Sequence, residues 1–516
     1  MARVILFSHR PVFKENLISG PGIRIFEIAK SLQKKGHKVT IAEKGNEKEH
    51  QKSKIKLIPW NKNLLKKINN KYDVAILEPW NDEIDFLEAI KNIPTIVDLY
   101  SPILLEHAKF CSKKTKYESY FKGGVVDYFF DDVIMNLSRV IMQGDFFICA
   151  NDKQKDYYIG MLNLLGIINP ETYSKEIISI VPFGIESRNP DKSLKGLDIK
   201  KSKKDKLILW PGGIFPWLDA ETVVKAMQIL EKKHPKIKLV FVGANNPFDS
   251  YFTQKEYEKV KELAEELGLL NSNVFFHEWI PYNEREMMYN EAEIAIVLGR
   301  EGFENDISNR TRIIDCLWGE IPVITSPNSS TSEIIERNDV GVISEDAKDL
   351  SDKILSLSQD KKKMSVIKSN IKNFKKELEW EKVIEPIEDF CSNPRKLSKK
   401  FNPYNLITEK QKSIEICEKE MDDKNQLIGK KNKQIEKKDK QIEQKDEQIK
   451  EQLEILNKKE DNITSLHKII NNQKKSIEKQ NTIINNFKAS IVYPLYSLTK
   501  KIGKTKVGKV LQKILK

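Results

Sequence analysis

The sequence predicts an α/β chain built as two domains, each a parallel β-sheet with crossover helices, followed by one long helix. Three observations predict it. Through about residue 390, short β-branched apolar runs alternate with helical patterns, which is the pattern of strand, helix and strand units. The stretch Ser187 to Asp205, rich in lysine, serine and aspartate, divides that alternation into two rounds. Beyond residue 408 an apolar side chain returns at every seventh position. Four regions follow: 1–190, 191–395, a coiled coil over 408–490, and a basic amphipathic tail over 491–516.

In the first region the predicted strands are Val4 to Phe7, Lys38 to Ala42, Val74 to Leu77, Thr95 to Asp98, Phe146 to Ala150 and Ile178 to Pro182. The loop Ser19-Gly20-Pro21-Gly22-Ile23-Arg24 enters the first helix. Its glycines let backbone amides approach an anion at a helix start, and they equally suit a steep turn that needs glycine for steric reasons. Asp98 closes a strand, where it either orients a substrate hydroxyl or caps the next turn. Glu106 and His107 fall on the helix that follows. In the second region the strands are Lys206 to Trp210, Lys238 to Gly243, Asn273 to Phe276, Ile294 to Leu298 and Ile321 to Thr325. Two such domains facing a cleft place ligands at the carboxyl ends of their strands.

Residues 301–326, EGFENDISNRTRIIDCLWGEIPVITS, join a charge cluster to a buried strand. Ser308 or Asn309 is placed to cap a helix from Arg310 to Gly319. That puts Arg310 and Arg312 in the first turn, where the helix dipole disfavours cations unless an anion binds there. A phosphate is the expected anion.

The five cysteines, Cys111, Cys149, Cys316, Cys391 and Cys417, are odd in number and form no C-x-x-C pair. This points to a reducing compartment and away from a disulfide frame or structural zinc. No run of 18 or more apolar residues occurs and the amino terminus carries only Val4 to Phe7, so neither a signal peptide nor a spanning helix is expected. Of the formal charge of +13, residues 401–516 carry +10 and the first 400 residues +3. Lys488 to Lys516 holds eight lysines and no acid, interleaved with Ile, Val, Leu and Tyr. Without arginine and with few aromatics it suits an anionic membrane surface and not a nucleic acid. The expected location is cytoplasmic, peripheral on the inner face of the membrane.

The apolar row runs from Ile414 through Met421, Ile428, Ile435, Ile442, Ile449, Leu456, Ile463, Ile470, Ile477 and Ile484 to Ile491. With no proline between them, one helix of roughly 110–120 Å can form at about 1.5 Å per residue. The companion positions are mostly polar (Lys438, Lys445, Lys459, Gln473), with Leu453, Leu466 and Phe487 as exceptions. A strict seven-residue spacing implies a facing partner, hence a homo-oligomer through 414–491. A solvated helix or charged linker is the plainer alternative.

Several segments together resemble retaining glycosyltransferases of the GT-B type (glycosyltransferase family 4-like, group 1). Glu301-Gly302-Phe303 and Ile321-Pro322-Val323-Ile324 match the ends of that family's donor-binding loop, helix and strand. Gly36-His37-Lys38-Val39, Val181-Pro182-Phe183-Gly184-Ile185, Trp210-Pro211-Gly212-Gly213 and Trp380-Glu381 match further segments, so that the resemblance covers about residues 1–395. It implies a GT-B architecture of two Rossmann-like domains facing a cleft. It also implies transfer of a sugar from a nucleotide-sugar co-substrate to a surface glycan or glycolipid, with no bound metal and no further cofactor. The resemblance puts Glu301 or Glu304 on the donor sugar, Asp98 near it, and Asp315 on the donor ribose. Gly20, Gly22 and Arg24 fall at the phosphate or acceptor edge, and Gly213 at the glycine turn of the donor site. The basic pair that usually follows this turn is missing from Ile214 to Asp219. Arg310 and Arg312, with Arg300, would then hold the diphosphate by bidentate contacts. The altered motif also fits a catalytically inert scaffold that oligomerises through its coiled coil. A Rossmann-type epimerase or nucleotide-binding protein ranks last, for want of a G-x-G-x-x-G.

Overall fold

The computed structural model describes residues 1–397, apart from 15–16, 47, 112–124, 195 and 248–251. In the C-terminal region it describes 421, 424, 428, 431, 456, 460, 462–471 and 473–474. The first sheet comprises β1 (Arg3–Ser8), β2 (Lys38–Glu43), β3 (His50–Lys52), β4 (Ile55–Pro59), β5 (Val74–Leu77), β6 (Thr95–Asp98), β7 (Phe146–Cys149) and β8 (Ile178–Ile180). Its strand order is β8-β7-β6-β5-β1-β2-β4-β3, parallel except at the β3–β4 edge. The second sheet comprises β9 (Lys206–Pro211), β10 (Ile237–Val242), β11 (Val274–His277), β12 (Ile294–Val297), β13 (Val323–Thr325) and β14 (Gly341–Ile343). Its order is β11-β10-β9-β12-β13-β14 and it is parallel throughout.

The central strands are buried on both faces. Val4, Ile5, Leu6 and Phe7 are fully buried in β1, as are Ile294 to Val297 in β12. Helices cover both sides of a parallel sheet, so its strands read as unbroken apolar runs, and these were the runs the sequence marked. β3, β4 and β14 were not anticipated. Ile55–Pro59 carries an exposed lysine inside its short run, and Gly341–Ile343 has only three residues.

Two helices beyond the second sheet, α5 (Trp380–Val383) and α6 (Glu385–Ser392), pack on the first domain, whereas the sequence boundary of 191–395 assigned them to the second. Ile185 N–H donates to Leu378 O at 2.8 Å and Trp380 N–H to Ile185 O at 3.0 Å. Phe390 stacks on Phe146 with ring centroids 5.2 Å apart. Lys34, the last residue of α1 (Gly20–Lys34), pairs with Glu381. His37 is buried, accepts from Ala2 N–H through Nδ1 at 3.1 Å, and lies 3.8 Å from Glu388. The Gly-His and Trp-Glu segments thus fasten the chain's return to the first domain. Gly184 is required there by space, since a Cβ would lie 2.5 Å from the Trp380 indole. Gly184→Ala is expected to cost about 1–3 kcal/mol by overpacking, read as a lower urea midpoint.

The linker is not free. Asn290 Nδ2 donates to Asp191 O and Leu194 O, both at 2.7 Å, and Gly196 N–H donates to Glu291 at 2.8 Å. These bonds pin Asp191, Leu194 and Gly196 to the second domain.

Residues 134–139, 164–167 and 399–516 form a separate unit. Its described C-terminal residues, including Ile428, Leu456, Ile463 and Ile470, are helical and exposed. The rest of the expected coiled coil and all of 491–516 lie outside the described residues. No described helix is long and apolar enough to cross a membrane.

Candidate donor-binding cleft

A cavity of about 500 Å³ opens between the carboxyl ends of the two sheets, where parallel α/β domains bind ligands. The first domain contributes Gly20 at the start of α1, Trp80 beyond β5, and Tyr100, Glu106 and His107 beyond β6. The last two lie on α2 (Ile103–Cys111). The second domain contributes the Gly212–Gly213 turn, Trp279, Tyr282 and Arg285 beyond β11, and Asn309 to Arg312 with Asp315 beyond β12. Phe215 and Trp217, stacked with centroids 4.8 Å apart, complete an aromatic wall suited to flat rings.

The loop after β12 folds into α3 (Phe303–Ile307) and α4 (Thr311–Trp318). The strand after it begins at Val323, two residues later than expected. Neither Ser308 nor Asn309 caps α4. Ser308 Oγ donates to Glu304 instead, the Asn309 side-chain oxygen has no partner among the described residues, and Arg310 occupies the N-cap position without a side-chain capping bond. The cause is a buried ion pair. Arg310 Nη1 and Nη2 grip the two oxygens of Glu304 at 2.7 and 2.8 Å, with both residues under 10 % exposed. This bidentate clamp ties α3 to α4. It neutralises Arg310, although that side chain lines the cavity. Glu304 is consequently engaged by protein, and Glu301 is exposed and does not line the cavity.

Arg312 is different. It lines the cavity, and among the described residues its side chain makes one hydrogen bond, from Nη1 to Gly213 O at 2.9 Å. Among the described residues no carboxylate comes within ion-pair distance of it. Burial and the neighbouring Arg310 lower its pKa to about 10, which still leaves it fully charged at neutral pH. A charged guanidinium at a helix start, without a counter-ion, is a site that favours an anion.

Asp315, one turn further along α4, lines the same cavity. Burial pushes its carboxyl up to about 6, opposed by Arg285 at 4.0 Å. Arg285 is itself fixed. Its guanidinium lies 3.8 Å from the Tyr282 ring centroid and 4.0 Å from that of Trp318, and it donates to Glu186 at 2.9 Å.

In the first domain only Gly20 of the predicted residues lines this cavity, and it faces open space. Gly22 is a packing residue, because a Cβ there would lie 2.9 Å from Val12 O and 3.0 Å from Ile18. Arg24 and Asp98, predicted separately as phosphate and sugar contacts, are bound to each other. Nε meets Oδ2 at 2.6 Å and Nη2 meets Oδ1 at 2.9 Å, with Arg24 1 % exposed. Arg24 also donates to Val181 O and Pro182 O at 2.9 and 3.0 Å. The pair therefore locks α1 to the ends of β6 and β8, and neither member is available to a ligand. Arg300 is likewise spent, on Glu221 at 2.9 Å with Asp219 and Glu256 close by.

Sequence reasoning placed Glu106 and His107 on a helix and gave them no role in the site, yet both line the cavity. Burial and the Glu304 carboxylate push Glu106 up to about 8, and burial alone pushes His107 down to about 4. At neutral pH both are uncharged, so Glu106 presents a hydroxyl able to donate a hydrogen bond. Arg285 was missed altogether. Its only sequence signal was a cation between Tyr282 and Tyr289 on a helical pattern.

Residues 197–374 match the family model described as Glycosyl transferases group 1. No curated protein sequence matches the chain. Among solved structures it is similar to the sucrose-phosphate synthase tll1590 from Thermosynechococcus elongatus, at 14 % identity and TM-score 0.53, with 76 % of this chain and 98 % of that chain covered. It is also similar to the trehalose-6-phosphate synthase OtsA, at 11 % identity and TM-score 0.52, covering 77 % and 100 %. A third is WaaG, a glycosyltransferase involved in lipopolysaccharide biosynthesis, at 15 % identity and TM-score 0.50, covering 76 % and 100 %. At such identities the likeness is one of fold, the GT-B arrangement. Together with the family match over residues 197–374, this likeness supports a nucleotide-sugar glycosyltransferase.

Proposed function

We propose that the chain transfers a hexose-type sugar, with retention of configuration, from a nucleoside diphosphate donor to a surface glycan or glycolipid. The observation that carries this reading is Arg312, a cation at the start of α4 without a counter-ion among the described residues, in contact with the Gly212–Gly213 turn. It takes the diphosphate in place of the absent basic pair, and stabilises the charge that develops there as the sugar leaves. Asp315 accepts from the ribose hydroxyls, and the aromatic wall receives the base. Asp98 and Glu304 are held by arginines, and Glu106 is protonated at neutral pH. The base left for the acceptor hydroxyl is an oxygen of the departing diphosphate. The acceptor oxygen bonds to the anomeric carbon, the bond from that carbon to the phosphate oxygen breaks, and the acceptor proton passes to the diphosphate. Attack on the face from which the diphosphate leaves retains configuration.

A screen of the full chain against UDP-, GDP-, ADP-, CMP- and dTDP-sugars, by thermal shift and by hydrolysis, tests this reading. One donor should stabilise the protein and be slowly hydrolysed. Stabilisation without turnover in the presence of any acceptor would favour the inert scaffold, a reading supported by the locked state of Glu304 and Asp98.

Asp315 sets a pH dependence. Its carboxylate, the form that accepts from ribose, predominates above about pH 6. Donor affinity should therefore be flat at neutral pH and fall as pH drops through 6, by up to about tenfold per unit for one linked proton. Asp315→Asn should bind weakly at all pH values and lose the inflection. The check is the donor Kd measured from pH 5 to 8.

The seven-residue apolar spacing of 414–491 supports self-association through 408–490, and the acid-free lysines of 491–516 support attachment to the anionic inner face of the membrane. Sedimentation as a monomer would remove the first. Unchanged binding to anionic vesicles after deletion of 491–516 would remove the second.

A further inference from the structure

On its first-domain wall the cavity holds a second cation that has no ion-pair partner among the described residues. Arg10, in the loop leaving β1, lines the cavity, as does Trp80 beyond β5. Its Nε donates to His9 Nε2 at 2.9 Å, which requires that nitrogen to be bare and the imidazole proton to sit on Nδ1. His9 Nδ1 lies 3.1 Å from Glu78 Oε2, and the His9 backbone N–H donates to the same oxygen at 3.2 Å. Glu78 is 7 % exposed, and its own N–H donates to Asn81 at 2.6 Å. A buried carboxylate thus fixes the imidazole, and the imidazole fixes the guanidinium. The two terminal nitrogens of Arg10 have no hydrogen-bond or ion-pair partner among the described residues. Trp80, half-buried, continues the wall, with its ring 6.0 Å from that of His9 and 5.4 Å from that of His107.

We infer that Arg10 and Trp80 form an acceptor subsite for a sugar bearing an anionic group, a carboxylate or a phosphate. The sugar face lies on the indole and its oxyanion is held by the guanidinium fork. The inference rests on the sugar-transfer reading and names its acceptor class. A planar fork held through Nε leaves its two terminal nitrogens to meet an oxyanion bidentately, while an aromatic ring lining the same cavity offers an apolar platform for ring C–H groups. The diphosphate has its own cation in Arg312, on the other domain. An arginine oriented through two further residues would otherwise be a charge with no counter-ion in a cleft wall.

The test titrates the full chain, saturated with UDP, with methyl glucuronide, glucose 6-phosphate and methyl glucoside, by saturation-transfer NMR and calorimetry. At least one anionic sugar should bind roughly tenfold or more tightly than methyl glucoside. Arg10→Gln should abolish that preference while UDP affinity changes less than about threefold, and Arg10→Lys, which keeps the charge but loses the fork, should restore only part of it. The two anionic probes separate carboxylate from phosphate recognition. Equal binding of anionic and neutral sugars, or no anionic sugar bound, would overturn the inference. So would a loss of UDP affinity in Arg10→Gln as large as the loss for the anionic sugar, which would place Arg10 on the diphosphate. If the wild type binds no UDP, GDP or ADP, the sugar-transfer reading fails separately, and the Arg10 dependence is then read with the sugars alone.

Discussion

Replacing Arg312 by methionine is expected to weaken binding of the nucleoside diphosphate donor by roughly 10- to 100-fold, the loss of about 1.5–3 kcal/mol typical of a hydrogen bond to a charged group. The same change should leave the melting temperature of the unliganded protein unchanged or raise it. In the free protein this guanidinium is desolvated, repelled by Arg310 and, among the described residues, bonded only to Gly213 O. An apolar side chain of similar length removes that penalty. Few substitutions separate function from stability in this direction. Calorimetric donor titration beside thermal unfolding of the same preparations would show it. A lower melting temperature with unchanged donor affinity would make Arg312 a structural residue.

Arg24→Leu should do the reverse. It breaks a fully buried bidentate pair that joins α1 to β6 and the end of β8, a change that typically costs about 3–5 kcal/mol. In a domain of this size that is a fall in melting temperature of roughly 6–20 °C. Asp98, already raised by its burial, would take up a proton and limit the damage. Donor affinity of the folded fraction should not change, because neither residue lines the cavity. The double substitution Arg24→Leu with Asp98→Leu should recover much of the loss, since the penalty lies mainly in leaving one charge alone. A selective loss of donor affinity in Arg24→Leu, without destabilisation, would return Arg24 to the site.

How much of this was legible in the sequence follows from the range of each interaction. The strands were legible because their signal is local: burial on both faces demands consecutive apolar residues, as in Val4 to Phe7. The division into two rounds was legible from Ser187 to Asp205, although the return of Trp380 to the first domain was not. That return depends on a cavity over Gly184 nearly 200 residues earlier in the chain. Arg312 stood out in the sequence because a cation in the first turn of a helix contradicts the dipole. The fate of Arg24 was not, since its partner Asp98 lies 74 residues away and either side chain alone reads as a ligand contact. Glu304 and Arg310 are only six apart, but helical spacing puts partners three or four apart, so a clamp between the end of one helix and the start of the next escapes it. The relay from Glu78 through His9 to Arg10 spans 69 residues and two loops and left no local trace.

Titration of the full chain with uridine, UMP and UDP, and with the matching guanosine and adenosine series, tests the anion-binding cleft most directly. For one base, affinity should rise with each added phosphate and fall with salt, and in Arg312→Met the series should flatten. A wild-type affinity that does not depend on the number of phosphates, or a dependence that survives intact in Arg312→Met, would contradict the assignment of Arg312 to the donor diphosphate.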